Sequence, residues 1–223
     1  MHEPRPASRQ VLDQISALPQ SDRPLIVCDV DEVILHMAAH FETFLRAQDL
    51  VFLSHSYRLT GNIARTGTTS PISSEDVRRL INQFFDEESH RQELVPGADE
   101  ALSMLSEDWD VILLTNLPGA HNKPVRERLL DSFGIPYPVV TNSGPKGGPV
   151  SALAAGRPSP VVFIDDSGIN HASVNASLPA SIQIQFIADD RFRAEMSPED
   201  HIDLFTGDWD QTRQFIGGIL QGS

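Results

Sequence analysis

Asp29-Val30-Asp31 follows directly on the apolar run Pro24-Leu25-Ile26-Val27-Cys28. A run that short and that apolar predicts a buried parallel strand. Two carboxylates at i and i+2 where it ends would project together into the crevice at the carboxyl edge of a sheet, where open α/β sheets bind ligands. The pattern recurs twice. Val111-Ile112-Leu113-Leu114 runs into Thr115-Asn116, and Val161-Val162-Phe163-Ile164 runs into Asp165-Asp166. Each ending alone is ordinary turn or helix-cap chemistry; brought to one sheet edge, the three make a site. Asp29, Asp31 and Asp166 would then crowd their charges together. A like-charge pair at ~4 Å costs about 4 kcal/mol at an effective dielectric of ~20. Either a carboxylate protonates or a cation sits among them. With oxygen donors and no Cys/His cluster at metal spacing, Mg²⁺ is favoured over zinc. His36 and His40 form an i,i+4 pair without a third ligand, which is weak support for a metal.

The elements that must position these residues follow from the apolar pattern. Residues 8–18 carry Val11, Leu12, Ile15 and Leu18 on one helical face, and a strand over 25–28 comes next. After Pro96-Gly97 the pattern predicts a helix at 98–106, a strand at 111–114, a helix at about 122–133 and a strand at 138–141. A glycine-rich turn with a short helix, a strand at 161–164, a helix at 168–177, a strand-like 182–187 and a helix after Asp208 or Asp210 complete the alternation. Such alternation implies an α/β class and a doubly wound parallel sheet with helices on both faces. Residues 36–95 interrupt it. They offer helices at about 38–48 and 74–90, the second capped by Ser73 or Ser74, and a polar piece around 60–73. The expected organisation is a core of 1–35 and 96–223 with a small, mainly helical insertion at 36–95 after the first strand.

At 223 residues the chain suits one domain with an insertion. Its single cysteine, Cys28, cannot form an internal disulfide and reads as a buried strand residue. A net charge of −14 opposes nonspecific binding to nucleic acid or anionic membrane. No apolar stretch approaches the ~20 residues of a membrane helix, and the opening MHEPRPASRQ lacks a signal core. Cytoplasm is therefore the expected compartment. The acidity does not attract an anionic substrate either, so phosphate attraction must be local.

Asp29-Val30-Asp31-Glu32-Val33, Leu114-Thr115-Asn116, Lys146 and Ile164-Asp165-Asp166-Ser167-Gly168-Ile169-Asn170 resemble the four ordered motifs of the haloacid dehalogenase-like (HAD) hydrolase superfamily. The resemblance spans about residues 22–190. One departure is Glu32, at a turn position where the family's phosphatases commonly carry glycine. The resemblance implies a Rossmann-like core, a mobile cap formed by the 36–95 insertion, and phosphoryl transfer from a small phosphorylated metabolite. Asp29 would be the nucleophile and a Mg²⁺ ligand. Asp31 would protonate the leaving alcohol and then activate water, its backbone carbonyl joining the metal shell. Thr115, with Asn116 beside it, would hold the transferring phosphoryl oxygens. Lys146 would neutralise nucleophile and phosphate, and Asp166 would complete the metal shell, with Asp165 and Asn170 as outer or water-mediated partners. The chain's two lysines are Lys123 and Lys146, and Lys146 alone falls in the glycine-flanked turn between the Thr and Asp-Asp motifs; Lys123 reads as surface.

Asp31 argues against a dehalogenase, whose halide leaves unprotonated. The absence of lysine from 33–122 argues against a phosphonatase, which forms a cap-lysine Schiff base. A response-regulator receiver carries a similar Asp/Thr/Lys trio, but its phosphorylated Asp follows a middle strand and the fold is shorter. A phosphomutase, which shares the core, and a catalytically weak regulatory protein remain as alternatives. His36, His40, Arg46, His55, Arg58, Asn62 and Arg65 are the insertion's polar candidates for substrate contact. Oligomeric state is not legible.

Overall fold

The computed structural model describes residues 6–56, 58–157 and 160–221. The first five residues of the expected 1–35 segment, which open the stretch read for a signal core, lie outside the described residues, as do the last two of 96–223. Six strands form one parallel sheet: β1 (Leu25–Cys28), β4 (Asp110–Asn116), β5 (Val139–Asn142), β6 (Val161–Asp165), β7 (Ile182–Phe186) and β8 (Leu204–Thr206), in the order β5-β4-β1-β6-β7-β8. Chain order reverses at β1, which pairs Cys28 with Leu113 on one side and with Ile164 on the other. A ligand crevice opens where a doubly wound sheet switches direction, and Asp29 stands at that point.

Alternation along the strands sorts the core into two layers. Ile26, Cys28, Leu113 and Ile164 pack with Leu102 and Leu105 of α4 (Ala98–Leu105), Leu130 of α5 (Asn122–Ser132) and Ile216 of α9 (Trp209–Ile219). Leu25, Val27, Leu114 and Phe163 face the other way, onto Val11 of α1 (Arg9–Ser16), Val150 of α6 (Gly147–Ala154) and Val174 of α7 (Gly168–Ser177). Helices therefore cover both faces, and Cys28 is a fully buried packing residue. In α1, Leu12 stays exposed, although the helical face groups it with Val11.

The inserted residues build their own small core. They form α2 (Ala38–Arg46), an antiparallel hairpin of β2 (Leu50–Phe52) and β3 (Ile63–Arg65), and α3 (Ser74–Glu87), followed by a single 3-10 turn at Ser89–Arg91. Phe41, Phe44, Leu45, Ile63, Leu80 and Phe84 pack together there, away from the sheet. Phe41 and Phe84 meet edge to face at 5.3 Å, the arrangement aromatic pairs prefer. Ser73 is the cap of α3; its hydroxyl accepts the Asp76 N–H at 3.1 Å. The hairpin had no clear sequence signal, because its strands are three residues long and flanked by polar ones. The chain enters and leaves the insertion through paired connections. The His36 N–H donates to the Glu93 carbonyl at 2.9 Å and the Val95 N–H to that of Ile34 at 2.8 Å. Two further elements escaped the sequence reading, the five-residue α8 (Asp190–Ala194) and the edge strand β8.

Candidate active site

Asp29 continues the β1 ladder by one residue, its N–H donating to the Ile164 carbonyl at 2.8 Å. That bond fixes its side chain at the mouth of the crevice, where it is almost wholly buried. The Lys146 ammonium lies 2.8 Å from Asp29 Oδ1 and 2.7 Å from Asp165 Oδ2, and no part of it reaches solvent. Lysine is almost never buried unless paired; here it is paired twice. Its position depends on a glycine. A Cβ at Gly147 would run into the Ser173 carbonyl and the Ser173 and Ser177 hydroxyls, so only glycine lets the start of α6 approach α7.

The two adjacent aspartates have different surroundings. Asp165 is enclosed and committed: besides Lys146 it accepts the Ser167 N–H at 2.9 Å and the Asn170 amide at 3.0 Å. Asp166 lines the cavity instead. Carboxylate oxygens of Asp29, Asp165 and Asp166 lie within 4.8 Å of one another, the one grouping of three potential metal ligands among the described residues. Asp31, two residues from Asp29, is held separately. Its Oδ1 accepts the Gln92 amide and the Arg126 guanidinium, each at 2.9 Å. Arg126 is buried and lies over the Phe85 ring at 5.8 Å. Neither Arg126 nor Gln92 carried a sequence signal: Arg126 is one of several charged residues within the helix expected at about 122–133, and Gln92 stands in no motif.

Thr115 is fully buried, and its hydroxyl has no hydrogen-bond partner among the described residues. An orphaned buried hydroxyl costs free energy, and this one lines the same cavity as Asp29. Asn116 lines it too, but its amide donates to the Gly144 carbonyl at 3.1 Å and its oxygen accepts from Asn142 at 2.9 Å. Those bonds brace the turn that carries Lys146.

Glu32 explains its own departure from glycine. Its φ is +64°, the left-handed region that glycine tolerates best. Its buried carboxylate accepts the N–H groups of Met37 at 3.0 Å, Ala38 at 2.6 Å and Asp189 at 2.7 Å. It thereby caps α2 and ties the insertion to the connection between β7 and α8.

The electrostatics follow from the crowding. Burial lifts the Asp29 carboxyl to about 7; Lys146 opposes the rise, and Asp165 and Asp31 add to it. Burial, then the charges of Asp29, Glu32 and Asp31, hold Asp166 well above the usual carboxylate range. Burial alone would lower the Lys146 ammonium, but Asp165 and Asp29 outweigh it and keep it above its ordinary value. Counted as fully ionised, four carboxylates (Asp29, Asp31, Asp165, Asp166) face two cations (Lys146, Arg126), a formal excess of two negative charges. The raised Asp29 and Asp166 carboxyls relieve that excess by keeping protons when no cation is bound.

Of the insertion's polar candidates, Arg58 lines the cavity. His36 and His40 open instead onto a separate surface depression with Arg91 and Glu93. Arg46 pairs with Glu42, and Arg65 is exposed at the end of β3. Asn62 is buried and fastens the hairpin loop through Ser54, and His55 packs on Phe192 at 5.2 Å. Lys123, read as a surface residue, is half-buried and donates to Gln14 at 3.2 Å.

No protein-family model matches the sequence, and no curated protein matches it significantly. Solved structures do match. A haloacid dehalogenase-like hydrolase from Streptococcus pneumoniae superposes with a TM-score of 0.54 at 8% identity, covering 88% of this chain and all of its own. YfnB from Bacillus subtilis, a HAD hydrolase solved bound to magnesium, gives 0.53 at 13% identity over 88% of this chain and 99% of its own. An L-2-haloacid dehalogenase gives 0.54 at 11% identity over 87% of this chain and 99% of its own.

Proposed function

The chain has the HAD-like hydrolase fold, and from its site we propose a Mg²⁺-dependent phosphatase that hydrolyses a small phosphate monoester through an aspartyl phosphate on Asp29. The observation that supports this most is Lys146 seated between Asp29 and Asp165, with the orphaned Thr115 hydroxyl on the same cavity. The donor set suits Mg²⁺, with the hard carboxylate oxygens of Asp29 and Asp166 beside a formal excess of two negative charges; the resemblance would add the backbone carbonyl of Asp31. When bound, Mg²⁺ supplies charge neutralisation of nucleophile and phosphate.

Asp29 attacks phosphorus while Lys146 offsets its charge, so that one anion can approach another. Thr115 donates its hydroxyl to a phosphoryl oxygen. Asp31 gives a proton to the departing alcohol and takes one from the water that hydrolyses the intermediate. Arg126 and Gln92 aim it. Asp165 holds Lys146 in place, and Asp166 lies on the cavity, where it would ligate the metal. Residues 36–95 act as the cap.

A dehalogenase has no use for an acid at position 31, so the dehalogenase among the structural neighbours does not redirect the reading. Glu32, the departure from the family pattern, has a structural use in its three backbone contacts and so does not argue for an inert regulatory protein. The test is Mg²⁺-dependent release of inorganic phosphate from acetyl phosphate and a metabolite panel. Asp29→Asn should lose at least about 10³-fold in kcat. Unchanged turnover in that variant overturns the covalent mechanism, and transfer of the phosphoryl group without phosphate release identifies a phosphomutase instead.

A further inference from the structure

Resting on the phosphatase reading, we propose that the alcohol carried by the substrate is an apolar, ring-bearing one rather than a sugar or other polyol. The cavity above Asp29 holds about 430 Å³. Its floor is polar, with Asp29, Asp31, Thr115, Asn116, Asp166, Ser167 and Asn170, and takes the phosphoryl group. Its walls are not. Met37, Phe41, Phe52 and Phe85 come from the insertion, and Ile169 and Phe192 from the core.

A polyol pushed against those apolar walls would surrender hydrogen bonds to water that the walls themselves do not replace. A ring would exchange ordered water for apolar contact. The aromatic walls already stand edge to face, Phe52 against Phe192 at 5.5 Å and 79°, with Phe41 at 6.1 Å from Phe52, a geometry that accepts a further ring. Arg58 is the one cation among the described lining residues. Its guanidinium can meet an acidic substituent or lie over a π face of the ligand.

Ile169 supplies a second, independent sign. It is 65% exposed, the most of any large apolar side chain among the described residues, and it lies at the cavity wall. Nothing in folding calls for an uncovered isoleucine at the start of α7; a hydrophobic ligand entering beside it would cover it.

The experiment compares alkyl phosphates of similar leaving ability on the Mg²⁺-loaded protein: 2-phenylethyl and 2-(1-naphthyl)ethyl phosphate against glycerol 1-phosphate and glucose 6-phosphate, with acetyl phosphate as a reference lacking a wall-contacting group. We expect kcat/KM at least about tenfold higher for the arylalkyl esters. The ratio of kcat/KM between the naphthylethyl ester and acetyl phosphate should fall at least about fivefold in Phe52→Ser and in Phe192→Ser. Calorimetry with the unmodified protein adds a readout without turnover, 2-phenylethylphosphonate binding at least about tenfold more tightly than 2,3-dihydroxypropylphosphonate. If acetyl phosphate is hydrolysed but the polyol esters equal or exceed the arylalkyl ones, the substrate class is overturned and the phosphatase reading stands. If no ester is hydrolysed, acetyl phosphate included, both fall.

Discussion

At the scale of single residues, Asp29 is the proposed nucleophile and also bears on stability. Its carboxyl titrates at about 7 in the folded protein without metal, against about 3.9 for an unfolded aspartate. Between those values the unfolded chain has lost the proton and the folded one keeps it, so stability falls as pH rises through that window. Each pH unit there removes at most about 1.4 kcal/mol. Melting of the metal-free protein should therefore shift downward from pH 5 to pH 7, and added Mg²⁺ should raise the melting temperature more at pH 7 than at pH 5. A flat profile in both conditions would show that Asp29 is not held neutral by its surroundings. Asp29, Thr115 and Lys146 could be picked out beforehand because each follows an apolar strand or stands in a glycine-flanked turn. Arg126 and Gln92 could not. Their importance is a matter of which side chain they meet, and Asp31 lies 95 and 61 positions away from them.

At the scale of elements, the turn after β1 shows how one side chain can compensate for an awkward backbone. A left-handed φ at Glu32 costs about 1–2 kcal/mol relative to glycine. Hydrogen bonds to a charged group contribute about 1.5–3 kcal/mol each, and Glu32 accepts three from backbone N–H groups. The balance favours the glutamate. Glu32→Gly, although it restores the residue common in the family, should lose roughly 2 kcal/mol and lower the melting temperature by about 4–8 °C. A stabilised Glu32→Gly protein would mean that the carboxylate contributes little. The apolar strands β1, β4 and β6 were legible because burial on both sheet faces leaves an uninterrupted apolar run. Strand β8 and the hairpin were not, since edge and two-stranded elements are short and only partly covered, so their sequences carry little of that signal.

At the scale of the whole molecule, the sheet and the insertion have separate interiors joined by paired connections. Phe84 is fully buried in the smaller one, among Phe41, Phe44 and Phe85. Phe84→Ala should cost about 3–5 kcal/mol, and the loss should fall on residues 36–95. Hydrogen exchange would then accelerate in α2 and α3 while β1, β4 and β6 keep their protection; uniform acceleration across both would show one cooperative unit. The alternating β/α order announced the doubly wound sheet, whereas the walls of the cavity come from distant segments and only folding brings them together. Trp209 lies where those parts adjoin. Its indole N–H donates to the Val33 carbonyl at 3.0 Å, inside the turn that also holds Asp31 and Glu32, and its ring lies 5.2 Å from Phe186. The molecule thus carries a native fluorophore wired to the stretch of chain between Asp29 and the insertion. With Trp109 replaced by Phe, its emission becomes a label-free optical gauge of that stretch, readable on the millisecond scale during a single turnover.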